Sequence, residues 1–166
     1  MSKIVNEPKI KNGFIRAIRE LMEHRALWMY LLCDEAKKKG LDAQSYAPGA
    51  IFRCGCYQAK LMVDKGQSQS LKSLKKRLFH PFARMIFEMK IIRTTADNFD
   101  VDFHYCPLVK AWQKQGCPDE EIDKLCDFAM YGDRGIAESF GCELDLLKTI
   151  AKGDGLCEIR FRRKGK

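Results

Sequence analysis

Five residues in the second half of the chain bring together nitrogen, sulfur and carboxylate chemistry: His104, Cys106, Cys126, Asp133 and Cys157. Read as a strand, the segment around residue 104 places Asp102, His104 and Cys106 on one face and Val101, Phe103 and Tyr105 on the other. From Asp119 to Phe140, the residues Ile122, Leu125, Cys126, Ala129, Asp133, Ile136, Ala137 and Phe140 follow the i, i+3, i+4, i+7 rhythm, which puts Cys126 and Asp133 on the inward face of a helix. A carboxylate on an apolar stripe requires a partner or a task. Cys157 alternates with Ile159 and Phe161 and points into the core. Three elements would then supply a thiol nucleophile, an imidazole and an acid–base carboxyl group, a set suited to attack on an electrophilic carbon with proton transfer. The alternative use of the same atoms is a zinc site made by His104, Cys106, Cys126 and Cys157, whose bound water would attack, although the familiar paired-ligand spacing is missing.

The other candidate groups read as structural. Cys33, Cys54, Cys56 and Cys117 are expected to be small hydrophobes in the core, and Cys54-Gly55-Cys56 is too closely spaced for a zinc pair. His24, between Glu23 and Arg25, is expected at a solvated surface, and His80, before Pro81, caps or packs at a break.

The elements that must position these groups follow from periodicity and punctuation. Phe14, Ile15, Ile18, Leu21, Met22, Leu27, Trp28, Leu31 and Leu32 recur at helical intervals from Asn12 to about Lys39, with Lys37-Lys38-Lys39-Gly40 as a stop. A break near Pro48-Gly49 precedes a second helix over 50–65, and a third runs from Ser70 to about His80-Pro81. The segments 85–93 and 99–106, rich in β-branched and aromatic residues around Asp97-Asn98, predict paired strands. A short helix over 107–115 begins with Pro107, and a longer one opens at Pro118-Asp119-Glu120-Glu121 and runs to about Phe140. Strands over 142–150 and 156–163 flank Lys152-Gly153-Asp154-Gly155, a hairpin signal. The expected fold is α+β: N-terminal helices packed with a mostly antiparallel sheet and ending in a C-terminal β-hairpin. At 166 residues one domain is expected over 1–166, with a helical portion over 1–80 and, over 81–166, strands with two inserted helices.

The composition narrows the function. No apolar run approaches bilayer length and the first residues lack the apolar stretch of a signal peptide, so a cytoplasmic protein without membrane contact and with reduced thiols is expected. The net charge of +8 favours anionic partners, and Lys72, Lys75, Lys76, Arg77, Arg84, Lys90 and Arg93 face only Glu88 over that stretch. There is no finger spacing, ribonucleoprotein-type aromatic motif or clear helix-turn-helix, which argues against specific nucleic-acid binding and for a small anionic substrate. Trp28 and Met29 on the long first helix suggest apolar surface for a homodimer.

The run Cys106-Pro107, Gly116, Leu125-Cys126, Asp133, Ala137-Glu138 to Phe140-Gly141, Lys148-Thr149-Ile150, Gly153-Asp154 and Cys157-Glu158-Ile159-Arg160-Phe161 resembles the L-2-amino-thiazoline-4-carboxylic acid hydrolase family. That resemblance implies opening of a cyclic thioimidate-like amino acid by water at its C=N carbon, giving a carbamoyl derivative of cysteine. It implies Cys106 as nucleophile beside His104, Cys126 as a second thiol, and Asp133 as acid–base group or orienter of the histidine. Arg160 would anchor the substrate carboxylate, with Thr149 a second substrate contact, although Arg160 lies opposite Cys157 in the strand period. The same ending also looks like the four-vinyl reductase domain, which implies a non-catalytic small-molecule-binding or thiol-sensing module; Thr149 stands where that domain more often has cysteine.

Overall fold

The computed structural model describes residues 2–63 and 69–165. Helix α1 (Gly13–Lys38) starts where the Asn12 side chain accepts hydrogen bonds from the amides of Phe14 and Ile15, and it ends with Lys37 and Lys38 against the negative end of its dipole. A single 3-10 turn (Ala43–Ser45) leads to α2 (Ala47–Val63), so Pro48 and Gly49 fall inside its first turn rather than before it. Residues 64 and 65 of the expected second helix lie outside the described residues.

Helix α3 (Leu71–Leu78) is capped by Ser70, and α4 (Pro81–Phe87) by His80, whose Nδ1 accepts from the amide of Ala83. The expected strand over 85–93 is therefore helical at its start. Glu88, in the left-handed region at φ 51°, ends α4 and lets β1 (Met89–Thr94) begin. Strand β2 (Asn98–Phe103) stops three residues short of the expected Cys106, and α5 (Pro107–Lys114) follows with proline in its first turn. Helix α6 (Asp119–Ser139) carries Asp119, Glu120 and Glu121 at its positive end. Strand β3 (Cys142–Leu146) is shorter than expected, because Thr149 caps a 3-10 turn at Ile150–Lys152 before β4 (Cys157–Arg163).

The four strands form an antiparallel sheet in the order β1-β2-β4-β3, with the expected C-terminal hairpin as the β3–β4 pair. Val101 pairs with Ile159 and Phe99 with Phe161, and these four side chains are buried on the inner face. Phe79, at the end of α3, packs its ring against Phe99 and Phe161 at 4.8 and 5.8 Å. The outer face is ionic: Asp100 lies between Arg93 and Arg162, and Arg160 bridges Asp102 and Glu158.

Helices α2 and α6 touch at backbone distance. A Cβ on Gly55 would stand 1.9 Å from the Gly132 carbonyl oxygen, and one on Gly135 would stand 2.3 Å from that of Phe52. Helix α1 packs on α5, where the Trp112 indole donates to the Ala26 carbonyl at 3.1 Å. The chain before α1 runs as an extended strap. Ser2 and the Lys3 amide bond Asp119, Gln113 donates to the Ile4 carbonyl, and the amides of Lys9 and Ile10 donate to Glu88.

Candidate functional site

Cys106 is the hinge between the sheet and α5. Just beyond the end of β2, it occupies the residue before Pro107 with extended backbone (φ −134°, ψ 112°). Its conformation is held from a hundred residues away: the buried Asn6 side chain donates to the Cys106 carbonyl at 2.8 Å and accepts from the Cys106 amide at 2.9 Å. This reciprocal pair satisfies both backbone groups where the ladder has ended.

The three inward thiols lie close enough to disfavour one another's ionisation. Burial is the main cause that raises Cys106, and the amides of Val109 and Leu108 at the start of α5 and the Arg25 charge act in the opposite direction. Burial, followed by the charges of Cys106 and Cys157, raises Cys126 well above an ordinary thiol. Cys157 is pushed up to about 12, first by burial and then by Cys106, against the Ile150 amide that donates to its sulfur at 3.3 Å. All three side chains are therefore thiols, not thiolates, at neutral pH.

Asp133 joins this group from α6. Burial raises its carboxyl to about 6, opposed by Arg25 and Arg134, and its charge is felt at Cys106. Both Asp133 and Cys106 are enclosed by protein yet keep some accessible surface, as do Cys126, Ala129 and Met130 on α6.

Cys106, Cys126 and Cys157 act on one another's ionisation and Asp133 acts on Cys106, whereas the other expected site residues stand elsewhere. Arg160 lies on the outer sheet face, where Nη1 meets Asp102 at 2.8 Å, with Glu158 at 3.4 Å from Nη2, so its charge is engaged away from the thiols. Asp102, expected to share a face with His104 and Cys106, belongs to the same outer network. His104 follows the last residue of β2, with its amide donating to the Glu88 carbonyl, and strand alternation does not place it with Cys106. The Thr149 hydroxyl accepts from the Lys152 amide and caps the 3-10 turn.

The cation that the sequence reading missed is Arg25. It is exposed on α1, makes no ion pair among the described residues, and acts on both Asp133 and Cys106. Its only sequence signal is a charge in a helix that otherwise reads as amphipathic packing.

Among the described residues, no group of three or more histidine, cysteine, aspartate or glutamate side chains has the disposition to hold a metal ion. Cys54 is exposed rather than in the core, whereas Cys56 donates to the Gly135 carbonyl at the α2–α6 contact. Two surface grooves have volumes of about 370 and 600 Å³. The first is beside the start of α1, lined by Arg16, Tyr105 and Lys110, and the second is between the end of α1 and the start of α6, lined by Asp42, Glu121 and Lys124.

An antiparallel sheet backed by helices with this connectivity is similar to a solved structure of a trafficking protein particle complex subunit 3 from Naegleria fowleri, described as covalently bound to palmitic acid. The TM-score is 0.58 with 18% identity over 86% of this chain and 95% of that one, a likeness of fold. The family model for L-2-amino-thiazoline-4-carboxylic acid hydrolase matches residues 19–161, and the chain belongs to that family. No curated protein matches the chain. The resemblance to the four-vinyl reductase domain has no support from these matches.

Proposed function

We infer that the chain hydrolyses a small cyclic amidine or thioimidate acid, such as L-2-amino-thiazoline-4-carboxylate, at its C=N carbon. The observation that carries this reading is the buried carboxyl of Asp133 on α6, near enough to Cys106 and Arg25 for their charges to act on one another. A carboxyl raised to about 6 is half-ionised about one pH unit below neutrality and mostly ionised at pH 7, which suits a group that must take a proton and then return it.

In the reaction proposed, Asp133 takes a proton from water as the water oxygen bonds to the C=N carbon. The electron pair of the double bond goes to the ring nitrogen, which receives a proton. The ring carbon–sulfur bond then breaks, the carbonyl forms, and the departing sulfur is protonated to a thiol. Arg25 is the proposed anchor for the substrate carboxylate, in place of Arg160. Cys106 offers a variant of the first step. Its thiol adds to the same carbon while Asp133 takes the thiol proton and the double-bond pair goes to the ring nitrogen. The ring carbon–sulfur bond then breaks with protonation of the departing sulfur as the C=N bond re-forms, and water adds to that carbon and displaces Cys106 as the thiol. Since burial keeps the Cys106 thiol protonated, its addition and its deprotonation must be concerted.

The test is incubation of purified protein with L-2-amino-thiazoline-4-carboxylate and mass spectrometry for the water adduct. Product from wild type that is lost in Asp133→Asn supports the reading. A substrate-derived mass on the protein, absent in Cys106→Ser, identifies the thiol variant, and turnover by Cys106→Ser identifies direct attack by water. A second reading, a non-catalytic small-molecule or thiol-sensing module, draws on the protonated, buried thiols of Cys126 and Cys157 and on the palmitic acid covalently bound to the structural neighbour. Its signature is saturable thermal stabilisation by a ligand with no product.

A further inference from the structure

Six positions spaced alternately by three and four residues along α1 carry no formal charge, apart from titration of His24, in a chain of net charge +8: Phe14, Ala17, Leu21, His24, Trp28 and Leu31. All six face solvent, and Phe14, Leu21 and Trp28 are 61, 67 and 63% exposed. The positions diametrically behind them are Arg19, Ala26 and Cys33, and there the helix meets its own core, with Arg19 and Ala26 buried. The helix thus has two working faces, one filled inside the fold and one left open with the spacing of a coiled-coil seam.

Leu32 extends the open face toward the end of α1, and at the start of the helix the α4 residue Phe82 brings its ring to 5.2 Å from that of Phe14, with Met85 also exposed on α4. The large apolar side chains of this patch expose roughly 700 Å², close to the ~800 Å² that each partner of a standard interface buries. Single exposed apolar residues need no explanation, but an ordered stripe of this extent does.

The geometry points to a homodimer in which α1 of one copy packs antiparallel to α1 of a second copy along this seam. The sizes of the side chains select both partner and direction. An antiparallel two-fold sets bulky residues of one copy against smaller ones of the other: Trp28 against Ala17, Leu21 against His24, and Phe14 against Leu31. A parallel pairing would stack Trp28 on Trp28 and Ala17 on Ala17, leaving one layer overfilled and another hollow. The seam is thus complementary to its own reverse, as a two-fold interface requires.

Light scattering on the size-fractionated full chain at micromolar concentration tests this. Wild type should have the mass of two chains, and Leu21→Glu and Trp28→Glu should each halve it while the circular dichroism spectrum stays unchanged. Ala17→Trp should weaken the dimer by crowding Trp28 of the second copy, and adding Trp28→Ala should restore it. A monomeric wild type, or a dimer indifferent to both glutamates, overturns the interface. Dissociation by the glutamates without rescue in the double variant overturns the antiparallel pairing.

Discussion

Asp133→Asn should separate stability from activity. The folded carboxyl titrates at about 6 against an ordinary 3.8, so the stability linked to this group is fully present below pH 4 and is lost as pH rises through 6. Above that range the ionised side chain costs up to ~3 kcal/mol, less where solvent still reaches it. Asparagine removes the charge, so the variant should melt at a higher temperature than wild type at pH 7.5 while its turnover falls about 100-fold or more. Wild-type turnover should rise with pH through about 6, and the variant should lack that limb. Asn6→Ala is expected to act differently. It leaves the amide and carbonyl of Cys106 without partners, at ~1–3 kcal/mol for each buried group, and should lower kcat more than it raises KM. Cys126, Asp133 and Cys157 were legible because helix and strand periods alone decide which way they point. Arg160 and Thr149 owed their expected roles to the resemblance, and their own neighbours claim them. Asn6 and Arg25 carry no local signal, since their importance comes from contacts that the chain makes only when folded.

The helices and the hairpin were legible to within a few residues wherever a cap or a glycine marks the end. The strand expected at 85–93 failed at its start because Met85, Ile86 and Phe87 suit either state. The deciding feature was His80-Pro81, a cap followed by proline in the first turn of α4. The end of β2 was misread because the alternation runs on to Cys106, whereas Pro107 starts a helix and Asn6 takes the backbone bonds of Cys106. Two contacts between elements should dominate stability. Gly55→Ala drives a methyl group into the Gly132 carbonyl, with backbone on both sides, and should cost ~3 kcal/mol or more in a denaturant titration. Arg19 is buried, hydrogen-bonded to the carbonyls of Ile10, Met85 and Ile86, and paired with Glu88 at 3.0 Å beneath the Tyr105 ring. Arg19→Leu should cost ~3–5 kcal/mol, because it leaves Glu88 charged and poorly partnered in the interior.

At the scale of the molecule, the sheet is a boundary between two kinds of chemistry. Its inner face is apolar and abuts the thiols, and its outer face sets arginines among carboxylates in cross-strand pairs. That partition was implicit in the alternation of β4. The order β1-β2-β4-β3 was not, since hairpin signals show which strands follow one another but not which hairpins then join edge to edge. No described helix is long and apolar enough to cross a membrane. With a net charge of +8, an anionic substrate should be drawn to the surface by long-range attraction, so kcat/KM should fall as salt is raised while kcat is nearly constant. A salt-independent kcat/KM would confine the attraction to groups in direct contact with the substrate.

The strap has a consequence for the order in which the molecule comes into being. Asn6 meets Cys106 across a sequence separation of 100, and Ser2 meets Asp119 across 117. During synthesis the strap therefore emerges about a hundred residues before the segments that it binds. α1 can coil early, but the backbone of Cys106 is fixed only after β2 and the start of α6 have left the ribosome, and Cys157 arrives later still. The backbone around Cys106 is consequently fixed late, and a nascent chain halted before residue 157 would hold its helices without the third inward thiol.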